Sequence, residues 1–363
     1  MKMSYVTLDR FLREEAEKNA TVRQKLESGG RSTRSSADEM SDDALLDKLR
    51  ELGFELDRDG IEQLCQDALS AEEAVQPLQR DWNRRVPDGS VDGDWIWICV
   101  LTLWQRWWPG KVCVELLDDK IQAGYDHQEA SDLTACATVW LDAWADVLRL
   151  CDATGIASID EFDDRFPLTQ SLFNWIGDLE MEVGNAGLED PSFWAARIEM
   201  CEEVLRRFTG IDQLMAENLR RAWAESLFAT GHAAEGDALF RSWLDADPRW
   251  GWGWIGWSDC HSDQTPRAGG QPDPDRAEEL LLRGFGQLGV RDQSYIADRL
   301  ARLYEKASRL DEARKWHDLT RQPDGGRRQN PAATVVRRDG VIRNAPCPCG
   351  SGRKYKRCCG SPK

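Results

Sequence analysis

The stretch Ser131-Asp132-Leu133-Thr134-Ala135-Cys136-Ala137-Thr138-Val139-Trp140-Leu141-Asp142-Ala143-Trp144-Ala145-Asp146-Val147-Leu148-Arg149-Leu150-Cys151 decides the fold class. Leu133, Ala137, Trp140, Leu141, Trp144, Val147, Leu148 and Cys151 recur at three- and four-residue steps, so they line one side of a helix. Ser131 reads as its N-cap and Gly155 as its stop. Ser158-Ile159-Asp160-Glu161 is a capping box that opens the next helix. Upstream, Asp94-Trp95-Ile96-Trp97-Ile98 starts a helix that is apolar nearly all round, which predicts a central position, and Pro109-Gly110 ends it. Another helix is expected to about Gln122, with Gly124 terminating it. Period-two alternation is almost absent here, so the expected fold is all-α.

Working toward the N-terminus, Ser41 looks like an N-cap, with Leu45, Leu46, Leu49 and Leu52 at helical spacing and Gly53 as the stop. Ile61 to Leu69 makes a second apolar-faced helix, and Ser70-Ala71-Glu72-Glu73 caps a third. Residues 1–40 read as an N-terminal segment: an amphipathic stretch from Leu8 to Leu26, then a Gly/Ser/Arg-rich linker over 29–36. Residues 41–190 form the expected α-helical domain.

Working toward the C-terminus, Trp223 and Trp257 lie 34 residues apart. Leu227, Gly231, Gly236, Phe240 and Pro248 fall around them at positions for large, small, small, aromatic and closing residues. Asp275-Arg276-Ala277 and Asp311-Glu312-Ala313 open equivalent second helices, and the Pro/Gly-rich stretch from Ser262 to Asp275 is an expected surface loop. Residues 191–320 resemble tetratricopeptide-type helical hairpins. That resemblance implies stacked helix pairs with a surface for a protein or peptide.

Composition sharpens the picture. Seventeen Trp against five Tyr and ten Phe predict a Trp-heavy helical core, with an aromatic groove around Trp250, Trp252, Trp254 and Trp257 as the alternative. The net charge of −17 hides an asymmetry. Residues 321–363 hold eleven Lys/Arg and two Asp, a charge of +9, which leaves −26 on the rest of the chain. Such a body repels nucleic acid and anionic lipid at long range, while the tail does the opposite. No signal peptide is visible and the apolar run Trp95–Trp108 is too short to span a bilayer, so a reducing cytoplasm is expected. Seven scattered cysteines (Cys65, Cys99, Cys113, Cys136, Cys151, Cys201 and Cys260) read as core residues.

The remaining four cysteines are different. After a linker over 321–342, Cys347, Cys349, Cys358 and Cys359 fall within thirteen residues as C-x-C-x8-C-C. So short a segment cannot fold on apolar burial, whereas one Zn²⁺ on four thiolates supplies the missing free energy. Iron also suits four thiolates, but these short spacings favour a single ion. A Cys358–Cys359 disulfide would close a strained ring. Arg343, Arg353, Lys354, Lys356 and Arg357 offset the site's formal charge and favour the thiolate form. Four protein ligands close the coordination sphere, which makes the site structural and not hydrolytic.

Asn344, Pro346, the run Cys347-Pro348-Cys349-Gly350-Ser351-Gly352, Lys354-Tyr355-Lys356 and Cys358 resemble the SEC-C motif. This is the zinc-binding tail of the SecA preprotein translocase, also appended to many unrelated bacterial proteins. Cys359 stands where the translocase tail commonly has His. The resemblance is strong over residues 343–360, within an expected zinc-binding module at 343–363, and implies one zinc per chain. It also implies a docking face made by Arg353, Lys354, Tyr355, Lys356 and Arg357, of the kind that meets a chaperone or the ribosome.

Little points to catalysis. His127, His232, His261 and His317 are scattered, and no phosphate loop, nucleophile elbow or dinucleotide fingerprint is present. Glu115, Asp118 and Asp119, like Glu180 and Glu182, are expected on exposed helix faces. The expected function is a non-enzymatic adaptor that binds a protein or peptide through its helical repeats and docks through its tail. The alternatives are a nucleic-acid- or ribosome-associated factor anchored by the basic tail, or an enzyme of unfamiliar type within 41–190.

Overall fold

A computed structural model describes residues 5–28, 32–86 and 91–320, apart from Gln264, Arg267 and Gly270. The linker over 321–342 and the cysteine tail lie outside the described residues. Every regular element among the described residues is helical. In chain order they are α1 (Tyr5–Lys18), α2 (Ala20–Ser28), α3 (Ser35–Asp38), α4 (Asp42–Glu51), α5 (Arg58–Cys65), α6 (Ala71–Arg85) and α7 (Asp94–Trp107). Then come α8 (Val114–Glu129), α9 (Leu133–Thr154), α10 (Ile159–Arg165), α11 (Leu172–Glu189), α12 (Ser192–Arg207) and α13 (Gln213–Ala229). The last are α14 (Ala233–Ala246), α15 (Gly251–His261), α16 (Pro274–Phe285), α17 (Gln293–Lys306) and α18 (Leu310–Thr320). No helix is long and apolar enough to cross a membrane among the described residues. The chain divides into two compact units, Met1–Arg291 and Asp292–Lys363.

Helix starts follow the capping chemistry. Ser41 accepts from the Ala44 N–H, Ser70 from Glu73 and Ser158 from Glu161. At α6 the Glu73 carboxylate reaches back to the Leu69 N–H, 3.0 Å away, one residue beyond the expected capping-box partner. Gly53 and Gly155 take positive φ, 85° and 72°, and close α4 and α9.

Three helix-boundary expectations fail; the helix expected over Ile61 to Leu69 is α5, Arg58–Cys65, which starts earlier because Asp57 caps it by accepting the Gly60 N–H. Gly124 does not end α8, which continues to Glu129. Its missing side chain instead admits the Trp140 indole from α9, whose Nε1–H donates to the Ile121 carbonyl at 2.9 Å. Ser131 does not cap α9; it sits at φ 59°, and Asp132 accepts the Ala135 N–H.

In the first unit, α7 runs through the middle of an N-terminal cluster, as its all-apolar pattern predicts. Residues Ile96 to Trp104 are all buried there, against Leu45, Leu49, Ile61 and Val75. A second core joins α8 to α13 around Trp140, Trp175, Phe162 and Val204. A third contains Phe228, Phe240, Trp250, Trp254 and Trp257. There Trp257 stacks between Phe240 and Trp254, with ring centroids 6.0 and 6.1 Å away. The crowded tryptophans therefore fill the interior; of those four, Trp252 alone is half-exposed, under the Arg221 guanidinium.

Consecutive helices pair as hairpins. Gly236 of α14 lies against Phe228 and Ala224 of α13, while Trp223 meets Trp243 further along, so the two run antiparallel. Ser258 donates to the Ala277 carbonyl and Gly284 packs on Trp254, which sets α15 and α16 the same way. Between α13 and α15 the register is parallel: Arg221 lies against Trp252 and Gly256, and further along Phe228 meets His261. Asp275 and Asp311 do stand in the first turns of second helices, α16 and α18. In the second unit α17 and α18 make a hairpin tied by Glu305 to His317 at 2.9 Å and by Arg309 over the Tyr304 ring.

Candidate functional site

The residues singled out for metal binding (Cys347, Cys349, Cys358 and Cys359) and for docking (Arg353, Lys354, Tyr355, Lys356 and Arg357) all lie outside the described residues. Among the described residues no group of three or more His, Cys, Asp or Glu could hold a metal ion. The seven body cysteines are free thiols and all are buried, as expected of core residues. Burial pushes Cys65, Cys99 and Cys136 up to about 12 and Cys151 to about 11. At Cys113, burial and the neighbouring Glu115 carboxylate push the thiol well above its ordinary value. These sulfurs are poor thiolates and thus poor ligands.

The acidic residues of the body hold the surprise. Glu115, Asp118 and Glu182 are buried, not on exposed faces. Glu115, in the first turn of α8, accepts the Ala71 and Glu72 N–H groups at 2.8 Å each, so it caps α6 from another helix. An anion at that position also meets the positive end of the helix dipole. Asp118, one turn on, accepts the Thr169 N–H at 2.7 Å, the Thr169 hydroxyl at 2.8 Å and Arg10 Nη1 at 2.8 Å. Arg10 forks to Asp119 as well, at 2.7 Å, and Arg34 pairs with the other oxygen of Asp119. The N-terminal segment is thereby pinned to α8 by two guanidinium groups.

A cleft of about 370 Å³ opens beside this seam. Glu72, Glu73, Glu115 and Asp118 lie along it, with Arg165, and Phe166 and Leu168 supply apolar wall. Of these carboxylates, Glu73, Glu115 and Asp118 each bond backbone N–H groups. A carboxylate committed to fixed donors holds helices in register.

The same logic recurs downstream. Arg197, half-buried between α11 and α13, donates through Nε to Glu180 at 2.9 Å and approaches Glu225 at 3.9 Å. Gln128 donates to Glu182 at 2.8 Å and the Tyr125 hydroxyl to Asp178 at 2.6 Å, both tying α8 to α11. Burial and that acceptor drive the Tyr125 phenol pKa upward. Asp237 accepts Trp257 Nε1–H at 2.5 Å and sits 2.9 Å from His261 Nε2. Burial raises the Asp237 pKa, but the hydrogen bonds from His261 and Trp257 outweigh it and the net shift is downward.

Sequence periodicity could not find the seam at Glu115, Asp118 and Asp119, because the groups that bind it from other segments lie 43 to 109 residues away along the chain. One local sign existed for Glu115 and Asp118: they occupy i and i+3 on α8, the side shared with buried Leu117 and Ile121, where an unpaired carboxylate would be costly.

Comparison with known proteins bears on the tail first. The SEC-C motif family matches residues 343–361. Protein translocase subunit SecA 1 of Alkaliphilus metalliredigens is 36% identical over 94 residues, covering 26% of this chain and 10% of the relative. Protein translocase subunit SecA of Nitratidesulfovibrio vulgaris (strain Miyazaki F) is 29% identical over 265 residues, covering 69% of this chain and 26% of the relative. The SecA subunit of Dichelobacter nodosus is 42% identical over 64 residues, covering 18% and 6%. This chain thus spans about a quarter or less of those relatives' length. No solved structure matches. The chain carries a SEC-C motif at residues 343–361, with Cys347, Cys349, Cys358 and Cys359 inside it.

Proposed function

We propose that this chain is a non-enzymatic adaptor of the cytoplasm: its helical hairpins bind a protein or peptide segment, and a zinc-bound SEC-C tail makes a second docking contact. The observation that carries this reading is the SEC-C match at residues 343–361, appended to an acidic helical body. Cys347, Cys349, Cys358 and Cys359 suit one Zn²⁺ by donor chemistry, and four protein thiolates leave no open position for a substrate. The metal would supply folding free energy to the tail. Arg353, Lys354, Tyr355, Lys356 and Arg357 then form its contact face. Two modest contacts on one chain reinforce each other through effective concentration.

The antiparallel pairs α13/α14 and α15/α16, with Trp223 and Trp257 34 residues apart, support a tetratricopeptide-like reading of the body. Because the relatives are translocase subunits, partners in protein translocation, a chaperone among them, are the first to test. Elemental analysis of the purified chain should find about one zinc, and Cys347→Ser with Cys349→Ser should abolish it. Affinity capture with the wild-type chain should retain partners that a chain ending at Leu319 loses. Identical partner sets would remove the tail from the mechanism. A second reading, nucleic-acid or ribosome attachment, is favoured by the +9 charge on residues 321–363. It predicts a steep loss of binding with rising salt.

A further inference from the structure

Helix α11 buries Leu172, Trp175, Ile176, Leu179, Val183 and Ala186 on one side. On the opposite side, Phe173, Gly177, Met181 and Leu188 gather within about 80° of one another at 100° per residue. Phe173, Met181 and Leu188 are 43%, 48% and 64% exposed, and a Cβ added at Gly177 would meet nothing within 4 Å. Gly184 shares that quadrant but is buried against the Arg197 guanidinium; the exposed row itself, Phe173, Gly177, Met181 and Leu188, has no charged residue. The solvent side of a surface helix ordinarily carries charge, and an aligned apolar row there marks an interaction surface.

The borders of the row name the partner's chemistry. Asp178 and Glu189 run along one edge, and Glu180 along the other. Helix α11 has four carboxylates and no Lys or Arg. Its neighbour Arg197, half-buried, pairs with Glu180, so the net negative charge of the rim lies on the Asp178 and Glu189 edge. On α8, Asp126 and Glu129 are exposed next to Tyr125 and Gln128, the residues that bond to α11. A second copy of this chain would set one acidic rim against another on a body of charge −26.

The geometry points to the exposed face of α11 as the docking site for a cationic amphipathic helix of a partner protein. The partner's apolar side chains lie over Gly177, between Phe173 and Met181, and its Lys/Arg flanks face the acidic rim. This deepens the adaptor reading and rests on it, but locates the contact on the body and not in the tail.

The test uses the full chain and a fluorescein-labelled synthetic peptide as long as α11, 18 residues. The peptide is made of Leu and Lys, with Leu at helical period, and binding is read by anisotropy at about 0.15 M salt. Saturable binding is expected, weakened about tenfold or more by Phe173→Asn with Met181→Asn. It should be unchanged by Leu288→Asn, an exposed leucine elsewhere that is 96% accessible. Met181→Gln alone carries the test if the double variant melts early. Absence of binding, equal binding of a Leu-scrambled peptide, or equal binding by the α11 variants overturns the proposal. Cys347→Ser with Cys349→Ser separates the two ideas: loss of tail docking leaves peptide binding at α11 intact.

Discussion

Gly124 shows how much one absent side chain can fix. Any Cβ there would enter the volume of the Trp140 indole, which is fully buried and cannot swing aside. Gly124→Ala gains roughly 0.5–1 kcal/mol in helix propensity. It should nevertheless lose about 1–3 kcal/mol net through overpacking and the displaced Trp140–Ile121 hydrogen bond. Urea denaturation checks the sign, and a stabilised variant would show that the indole can move. Cysteine chemistry gives a second test at this scale. With burial raising the body thiols, a thiol reagent at neutral pH should titrate none of the seven in the folded protein. On the zinc-tail proposal, chelation should release four reactive thiols and zinc should mask them again.

Among the elements, α1 depends on Arg10, which reaches Asp118, Asp119 and Thr169 together. Removing the guanidinium leaves a buried carboxylate beside a second one, so Arg10→Ala should destabilise by about 3–5 kcal/mol if that segment folds with the rest. If α1 detaches instead, hydrogen exchange will rise in α1 and α2 and leave α8 protected, and the two outcomes are distinguishable by mass spectrometry. The contact between α4 and α7 has a pH signature. Hydrogen bonds from Trp107 Nε1–H and Arg106 hold the Asp42 carboxyl below its ordinary value of 3.8. A carboxyl depressed in the folded state contributes stability above its unfolded pKa and loses it as pH falls through the folded one. That contribution should therefore be complete above about pH 4 and fade below it, and Asp42→Asn should flatten this acid limb of a stability–pH curve.

Across the whole molecule, legibility tracked range. The caps Ser41, Ser70 and Ser158, the stops Gly53 and Gly155 and the central burial of α7 were all readable, because each depends on residues within a turn or two. Gly124 misled because a glycine that ends a helix and a glycine that admits an indole look alike until the facing helix is known. The buried seam at Glu115 and Asp118 was legible only as two acids on an apolar helix side, because it is paired to residues from three other parts of the chain. The tail stood out in the sequence because the spacing of its four cysteines is a local signal, and the SEC-C match falls on it.

The double grip of Arg10 also sets an order in time. Its partner Asp118 lies 108 residues downstream and Thr169 lies 159 downstream. A ribosome adding roughly 5–20 residues per second needs on the order of ten to thirty seconds to supply them all. Until Asp118 and Asp119 have been made, Arg10 of α1 lacks the carboxylates that it clasps in the fold. The clasp on α1 thus closes only once α8 and Thr169 exist, later than contacts between neighbouring helices such as α1 with α2.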